Sequence, residues 1–476
     1  MISNRRQGGY LIIYVLIFSS VFFVILSSFV TFIITQSRLI EQRIQFEQAG
    51  QIAEAGLNYY KWFLAHYPNS TSTSMTGVYS DPELGPIGQY ELALASTTYC
   101  GAIMSRQVVS TGYTYENPGV RRVLQARYSR PNVAQFSFII NSNVWAGSDR
   151  TINGPYHSNG GIRMDGTHNS SVTSGQATWS CSPSFGCSPT STRNGVFTTT
   201  ANANPALFEF PSPPINFGAI TVDLTDIETR ARTGGGIFLG PSGGFGYHVV
   251  FNSNNTITVR TVTNTHSYWG FTTESGWQTE RHVMRATSTP TTYTIPANCP
   301  VIAIQDKVWL EGTVPNKVTI AASHATSTAS NPSIILQGNL TYTSATSSGL
   351  LAIAEQDVLI GVTVPDNMLL NGIFIAKNGR YGRNFYCRST DDCSNTNLLP
   401  NSNPNLRPFA IRNSETHNGT IVSNGRVGTQ WTSGGATVSG FRDRYTSYDR
   451  NLVESPPPFV PETSDVYEFS DWRDAN

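Results

Sequence analysis

Charged side chains are scarce in this sequence. Asp, Glu, Lys and Arg make up 13% of its 476 residues, whereas a typical soluble chain has about 25%. The 31 basic and 31 acidic residues balance to a formal net charge of zero. Bulk charge therefore does not indicate a nucleic-acid-binding surface or an acidic tail, and we predict no nucleic-acid partner. Ser, Thr, Asn and 41 Gly supply the polarity instead, which suits a surface outside the cytoplasm.

The motifs of common catalytic sites are also missing. The sequence has no H-E-x-x-H or P-loop. A polysaccharide-cleaving β-helix would need clustered carboxylates, and the candidates are scattered and mostly at corners, where aspartate is a favoured turn residue. They are Asp306, Glu311, Glu355, Asp357 and Asp366. His157 and His417 lie beside Asn-Gly pairs, where we expect surface side chains rather than ligands. We predict no enzyme, catalytic residue or cofactor, with a polysaccharide-active enzyme as the minor alternative.

One long hydrophobic run, residues 10–35, contains no charge, proline or glycine. Roughly 20 apolar residues in a helix cross a hydrocarbon core about 30 Å thick, so this run can span a membrane once. It is longer than the apolar region of a cleaved signal peptide, about 7–15 residues. Arg5 and Arg6 favour a cytoplasmic N-terminus, although Arg38 and Arg43 weaken that asymmetry. A plain signal anchor remains an alternative.

The helical pattern continues past the hydrophobic run. No proline occurs before Pro68, and apolar side chains recur close to one helical stripe. The stripe consists of Leu39, Ile40, Ile44, Ile52, Ala53, Leu57, Tyr60 and Leu64. A single helix over residues 10–66 would be about 85 Å long. We expect its outer half to pack on a head domain and its inner half to face lipid or copies of itself.

Together these residues resemble a known family, the type IV pilin-like proteins, and specifically minor pilins of the PilX type. The resemblance rests on the basic leader RRQGG at residues 5–9, the apolar run that starts at Tyr10, and the phrase QAGQIAEAGL at residues 48–57. It implies that a prepilin peptidase cuts between Gly9 and Tyr10 and that the helix then joins other pilins in a filament. This chain differs from the family in having Tyr10 as first mature residue, usually Phe or Met, and Tyr14 where major pilins carry glutamate.

Six cysteines all lie outside the hydrophobic run. An even number in a translocated head indicates disulfides. Cys181 with Cys187 and Cys387 with Cys393 share one spacing, which predicts two short stapled loops, and elimination leaves Cys100 for Cys299. Zinc sites usually have cysteines two to four residues apart or nearby histidines, so we predict disulfides and no metal.

The head has the pattern of β structure. NGPYHSNG at residues 153–160 recurs as NGTIVSNG at residues 418–425, each a short extended segment between two Asn-Gly corners. Short apolar strands between Gly, Asn and Asp corners at intervals of roughly 20–30 residues are typical of a β-solenoid. A β-sandwich is the alternative. Residues 219–232 have a helical period, and residues 246–260 read as a hairpin.

Later segments resemble large PilX-like proteins again: residues 308–320, residues 349–354 and the tail from Tyr448. We expect the proline-rich tail to cap the solenoid without adding a strand. Several aromatic residues lie among Ser, Thr and Asn, where they could stack on sugars or dock a partner, although core packing is the simpler interpretation. They are Trp145, Tyr156, Trp179, Tyr268, Trp269, Trp277, Trp309 and Trp431.

The predicted fold is mainly β with a long N-terminal transmembrane helix and an irregular β-solenoid head. Its segments are a leader (1–9), the helix (10–68), a head base (69–135), a first solenoid part (136–216), an α+β insertion (217–300), a second solenoid part (301–445) and a proline-rich strap (446–476). The predicted function is that of a minor pilin in a type IV pilus or secretion pseudopilus, with a single-pass membrane helix. The head would lie at the cell surface or on the pilus and serve assembly, tip formation or adhesion to a surface or carbohydrate ligand. The alternative is a permanently membrane-anchored adhesin.

Overall fold

The computed structural model describes residues 10–67, 70, 72–220, 224–324, 332–391, 393–464 and 466–475. It is mainly β with one long N-terminal helix, as predicted. The four helices are α1 (Tyr10–His66), α2 (Phe217–Ile220), α3 (Leu224–Thr233) and α4 (Arg450–Glu454). The predicted helical period at residues 219–232 corresponds to the end of α2 and to α3, and its residues 221–223 lie outside the described residues.

The strands before residue 210 are β1 (Ser74–Asp81), β2 (Gly85–Tyr99), β3 (Ala102–Thr114), β4 (Arg121–Ser129), β5 (Phe138–Ile140), β6 (Val144–Ala146), β7 (Arg150–Asn153), β8 (Tyr156–Ser158), β9 (Ile162–Met164), β10 (Thr167–His168), β11 (Val172–Ser174), β12 (Thr178–Cys181), β13 (Ser191–Asn194), β14 (Val196–Phe197) and β15 (Phe208–Glu209).

The later strands are β16 (Ile237–Leu239), β17 (Tyr247–Asn252), β18 (Thr256–Thr272), β19 (Gly276–Thr287), β20 (Thr291–Thr294), β21 (Val301–Ile304), β22 (Val308–Val314), β23 (Lys317–Ala322), β24 (Ile334–Tyr342), β25 (Gly349–Ala354), β26 (Val358–Ile360), β27 (Asn367–Ala376), β28 (Tyr381–Gly382), β29 (Ile411–Ser423), β30 (Gln430–Ser433), β31 (Ala436–Ser447) and β32 (Glu468–Asp474).

The chain divides into two compact units. The first contains α1 and a five-stranded sheet in the order β1-β2-β3-β4-β32, and it takes in residues up to Ser96, Ser105–Ser129 and the segment from Glu468. The second contains Thr97–Met104 and Arg130–Tyr467. The last strand, β32, pairs antiparallel with β4. The expectation of a tail that adds no strand is therefore wrong, because the chain regains an extended, non-proline sequence after Pro461.

The second unit is built on a parallel ladder of ten strands. Its order is β16-β21-β23-β25-β27-β29-β5-β8-β11-β15. The alternative of a sandwich does not fit this ladder, because sandwich sheets are antiparallel. Strand order departs from chain order at one place, where β29 pairs with β5 through Ile421 and Phe138. The first and second predicted solenoid parts thus meet edge to edge.

Register in this ladder places equivalent residues in one buried column. The column runs Ile237, Ile302, Ile320, Ala352, Phe374, Ile421, Phe138, Tyr156, Val172 and Phe208. All ten belong to the main core or pack against it. Tyr156 and Ile421 occupy the same position in the two copies of the N-G-x-x-x-S-N-G pattern. The repeat in the sequence therefore marks equivalent sites in the ladder.

The Asn-Gly corners of the repeat have two different structures. At the first corner, Gly154 and Gly419 adopt φ of 116° and 136°, as the turn interpretation requires. At the second corner, Asn159 donates to Asn141 (2.8 Å), which donates to Asn424 (2.9 Å). A stack of asparagine hydrogen bonds, rather than a positive φ, explains the second Asn in each copy.

The outer face of the ladder is covered by the chain itself. Ile353, Ile375 and Val422 on this face form a second buried cluster with Ile227 of α3 and Leu452 of α4. The segment predicted as an insertion contributes α3 to this cover, and the segment predicted as a strap contributes α4. The first of these segments also contributes β16 and β17, which extend the parallel pairing, and the predicted hairpin, in which β17 pairs antiparallel with β18.

Candidate functional site

The first part of the N-terminal helix is apolar and is not covered by the rest of the chain. α1 has 57 residues, and its most apolar stretch has a mean hydropathy of 2.5 with no residue buried against the rest of the chain. By length and composition it can cross a membrane. Tyr10 is its first residue, whereas Gly9 and the leader lie outside the described residues. Tyr14, at the position where major pilins carry glutamate, is 63% exposed.

The outer half of α1 packs on the sheet of the first unit. Its buried residues are Gln45, Ala49, Ile52, Ala53, Gly56, Leu57, Tyr60 and Leu64. Leu39, Ile40 and Ile44, which the sequence placed on the same stripe, are 54%, 58% and 52% exposed. The stripe prediction is wrong for these three residues, because the contact between helix and sheet begins only at Gln45.

Small residues allow the helix to approach the sheet closely. A Cβ on Gly112 of β3 would lie 2.3 Å from the carbonyl oxygen of Ala49 and 2.4 Å from the amide nitrogen of Ala53. Gly56 on the helix faces Tyr90 and Ser110 in the same way. Glycine at these positions brings the two backbones together, so that Ile52 and Leu57 are fully buried. Full burial of such a side chain contributes about 1.5–3 kcal/mol.

Polar contacts fix where the packed half begins. The Gln45 side chain is buried, donates to Glu116 (2.8 Å) and accepts from Thr114. At the next residue of the helix, the Arg122 guanidinium lies 4.5 Å from the centre of the ring of Phe46. Because a buried amide needs partners, Gln45 holds α1 in one register on the sheet. Periodicity of apolar residues could not find it, since Gln45 is polar.

The cysteines pair as the spacing indicated. Sulfur–sulfur bonds join Cys181 to Cys187 and Cys387 to Cys393, each with a sequence separation of 6. Cys100 is bonded to Cys299 across a separation of 199. Among the described residues, no group of three or more His, Cys, Asp or Glu side chains is placed to hold a metal ion.

The five candidate acids hold local backbone or neighbouring side chains. Asp306 accepts from the Ser242 amide (2.9 Å) and hydroxyl (2.6 Å), and Asp357 accepts from the Arg380 amide (2.8 Å). The remaining contacts are Glu311 with His248, Glu355 with the His324 amide, and Asp366 with the Asn413 amide. Burial raises the pKa of Asp357. These contacts are those of turn and corner residues.

The two histidines are not surface residues. His157 and His417 are 2% and 0% exposed, so the expectation is wrong. His417 points into the main core, where its ring lies 5.3 Å from that of Phe374 and its Nε2 atom lies 3.1 Å from the Gly372 carbonyl. His157 is in register with Ile139 on the outer face of the ladder, where the chain covers it. It contacts Thr173 (2.8 Å) and Asn159 (2.9 Å). Burial lowers the pKa of His157 and lowers that of His417 to about 3.

Most of the candidate aromatic residues are structural. Tyr156, Trp179, Tyr268 and Trp309 are buried, and the Trp309 indole donates to the His282 carbonyl (2.6 Å). Trp277 and Trp431 belong to a partly exposed cluster with Phe271 and Phe385, with ring centroids 5.5–6.5 Å apart. This cluster borders a small surface cavity that also contains Arg380 and Arg426. No local pattern marks these arginines, because they are far apart in the chain.

Comparison with known proteins gives little guidance. No family model matches the chain, and no curated protein matches its sequence. Among solved structures, the competence-associated pilin ComZ from Thermus thermophilus aligns over 90% of this chain and 97% of that chain, with 12% identity and a TM-score of 0.32. A TM-score this low does not establish a shared fold. The function proposed below rests on the helix, the leader and the head of the chain itself.

Proposed function

We propose that the chain is a minor pilin-like structural protein of the PilX type. Its helix α1 inserts first in the membrane and then among other pilins in a type IV pilus or secretion pseudopilus. The observation that carries the proposal is the division of α1 at Gln45. Beyond Gln45 the helix packs on its own sheet, whereas the apolar run over residues 10–35 and the mixed polar and apolar turns over residues 36–44 remain exposed. A helix that is apolar all round and unburied needs lipid or other helices around it.

The leader supports entry into a pilus rather than simple anchoring. The charged and glycine-containing segment RRQGG ends at Gly9, directly before the apolar run that begins at Tyr10. In this proposal a prepilin peptidase removes residues 1–9, and the mature chain begins at Tyr10. The head lies outside the cytoplasm, on the pilus or cell surface, where it serves assembly, tip formation or adhesion.

The proposal is tested at the N-terminus. Mass spectrometry of the native protein should find a mature chain that starts at Tyr10. Gly9→Val should leave the leader attached, because a β-branched side chain obstructs a site shaped for glycine, whereas Ser3→Val in the same leader should be processed normally. An intact Met1 in cells that process their other pilins would contradict the proposal and favour the alternative of a permanently anchored adhesin.

The anchored adhesin has one observation in its favour. Tyr14 occupies the position of the glutamate that major pilins carry, and it is exposed on α1. The two functions differ in where the protein is found. A pilin is recovered with sheared filaments, whereas an anchored adhesin stays entirely with the membrane fraction.

We propose further that the parallel ladders of the second unit form an irregular β-solenoid that acts as a scaffold. The column of ten equivalent residues and the contacts of the five acids support this proposal. Asp306→Asn and Asp357→Asn should leave function intact, since asparagine suits the same corners. Oligosaccharide release by the full-length protein, lost in either variant, would overturn it in favour of a carbohydrate-active enzyme.

A further inference from the structure

A small open cavity lies beside the turn of the β18–β19 hairpin in the second unit. Its volume is about 50 Å³, which suits a single carboxylate group rather than a whole sugar ring. Glu274 of the turn forms one wall, and Arg380, Arg426 and Trp431 form the others. We call these four residues and the space between them the arginine pocket.

The hairpin turn is held firmly against the rest of the pocket. Phe271 and Phe385 exchange two backbone hydrogen bonds, each 3.0 Å long. Their rings pack with Trp277 and Trp431 in the aromatic cluster described above. The Trp431 indole nitrogen donates to the Arg383 carbonyl (3.0 Å), which fixes the orientation of its ring. The wall is therefore preformed, and a ligand would not have to order it.

Arg426 is positioned by a stapled loop. Its Nη2 atom donates to the Ser184 carbonyl (2.8 Å), and its guanidinium lies 4.4 Å from the centre of the Phe185 ring. Both partners belong to the loop closed by the Cys181–Cys187 disulfide. A guanidinium has five N–H donors, so one hydrogen bond to the loop leaves donors to face the pocket.

The two arginines of the pocket form no ion pair in the described part of the chain. Among those residues, neither Arg380 nor Arg426 has a carboxylate oxygen within the 4.0 Å of an ion pair. Burial lowers the pKa of Arg426, Glu274 raises it, and the neighbouring Arg380 lowers it further. Two carboxylates act at longer range: Glu274 on the exposed turn, and the buried Asp357, whose pKa is raised mainly by burial and is also affected by Arg380 and by Glu274.

We propose that the arginine pocket binds the carboxylate of a uronic acid residue in an acidic polysaccharide, with the C–H face of the sugar against Trp431. Arginine pairs with carboxylates in a planar, two-bonded geometry. The two guanidinium groups are free of ion pairs and suit an anionic group, whereas Glu274 repels a dianion such as a phosphate monoester more strongly than a monoanionic carboxylate. A neutral sugar would leave both guanidinium groups without an anion.

Binding is measured with full-length protein in detergent micelles. The probes are polygalacturonate, the same polymer with its carboxylates methyl-esterified, and single-stranded DNA. We expect binding to polygalacturonate alone. Arg380→Gln and Arg426→Gln should each weaken it about tenfold, since a charged hydrogen bond is lost. Arg285→Gln, an exposed arginine outside the pocket, should have no effect.

A variant with the opposite effect separates recognition from a loss of folding. Glu274→Gln removes the repelling charge from an exposed turn and should tighten binding about twofold. Equal binding to the methyl ester, a preference for DNA, or unchanged affinity in the two arginine variants would overturn the proposal. The proposed binding of a uronic acid rests on the proposed function in one respect only: the head must be exposed outside the cell. A failure here would leave N-terminal processing at Gly9 unaffected, so the two proposals fail separately.

Discussion

At the scale of single residues, the burial of His417 makes the stability of the protein depend on pH. It lies in the second unit with no exposed surface, and its Nε2 atom is 3.1 Å from the Gly372 carbonyl. Burial is the main cause that lowers its pKa to about 3; the contact with Gly372 opposes this shift, and the Arg150 charge adds to it. The folded protein therefore holds a neutral histidine that becomes protonated readily once the chain unfolds.

This predicts a loss of stability in mild acid. An unfolded histidine titrates near pH 6.5, so stability is full above that pH and falls as pH decreases from about 6.5 to about 3, where the folded state also binds the proton. The slope from this residue is about 1.4 kcal/mol per pH unit. Denaturant titrations at several pH values across this range measure the free energy of unfolding. This free energy should fall less steeply with decreasing pH in His417→Gln than in the parent protein. Equal slopes in the two proteins would contradict the prediction.

Contacts that leave a local pattern in the sequence were predictable. Burial was not predictable where it depends on the direction in which a side chain points. The equal spacing of Cys181–Cys187 and Cys387–Cys393 is visible in the chain, and the structure contains these pairs. His417 has no such signal, because an inward or outward direction depends on the register of β29. The pairing of β29 with β27 and β5 sets that register.

At the scale of elements, the fit of α1 to its sheet depends on Gly112. The backbone of α1 lies so close that a side chain here would meet Ala49 and Ala53 directly. Gly112→Val should therefore push the helix away and lower the free energy of unfolding by about 1–3 kcal/mol. Thermal unfolding in detergent measures this. Gly119→Val, at a site whose nearest neighbouring atom is 3.6 Å away, is the control.

The helix was predictable in extent but not in its contacts. Composition and the absence of proline predicted residues 10–66, and α1 is Tyr10–His66. The point at which packing starts was not predictable, because it depends on Gln45 and its partners on the sheet. A stripe of apolar residues looks the same whether lipid or protein covers it, which is why Leu39, Ile40 and Ile44 were misplaced.

The three disulfides should differ in how much each contributes to the free energy of unfolding. In the chain-entropy model a loop of about 200 residues contributes about 5 kcal/mol and a loop of about seven residues about 2 kcal/mol. Replacing Cys100 and Cys299 together by alanine should therefore destabilise the protein more than replacing Cys181 and Cys187. Chemical denaturation of the two double variants, under oxidising conditions, checks this order. A larger loss for the short loop would show that local strain or loop packing dominates.

At the scale of the whole molecule, the end of the chain completes the first unit. β32 pairs with β4, and Asp474 forms an ion pair with Arg122 (2.6 Å). A chain ending at Ser464 should expose the edge of β4. We expect faster proteolysis within residues 74–129 than in the full chain. Arg473→Ala removes only an exposed ion pair of 3.9 Å and should change nothing. Equal protection of the shortened chain would contradict a closing role for β32.

The order of the parallel ladder was not predictable from the sequence. Recurring corners indicated stacked strands, and the two copies of N-G-x-x-x-S-N-G do occupy equivalent places. Which strands are neighbours depends on pairing between distant segments, and such contacts leave no local pattern. β5 lies between β29 and β8, so its two neighbours come from opposite ends of the head sequence.

That position of β5 has a consequence for biogenesis. Residues 138–140 leave the ribosome long before residues 411–423, and at about 5–20 residues per second the interval is roughly 15–55 s. Throughout that time one edge of β5 has no partner, and uncovered strand edges promote aggregation. A message truncated before residue 411 would therefore yield an aggregation-prone fragment rather than a shorter, folded head. The emerging chain therefore needs to be shielded until residues 411–423 are available to pair with β5.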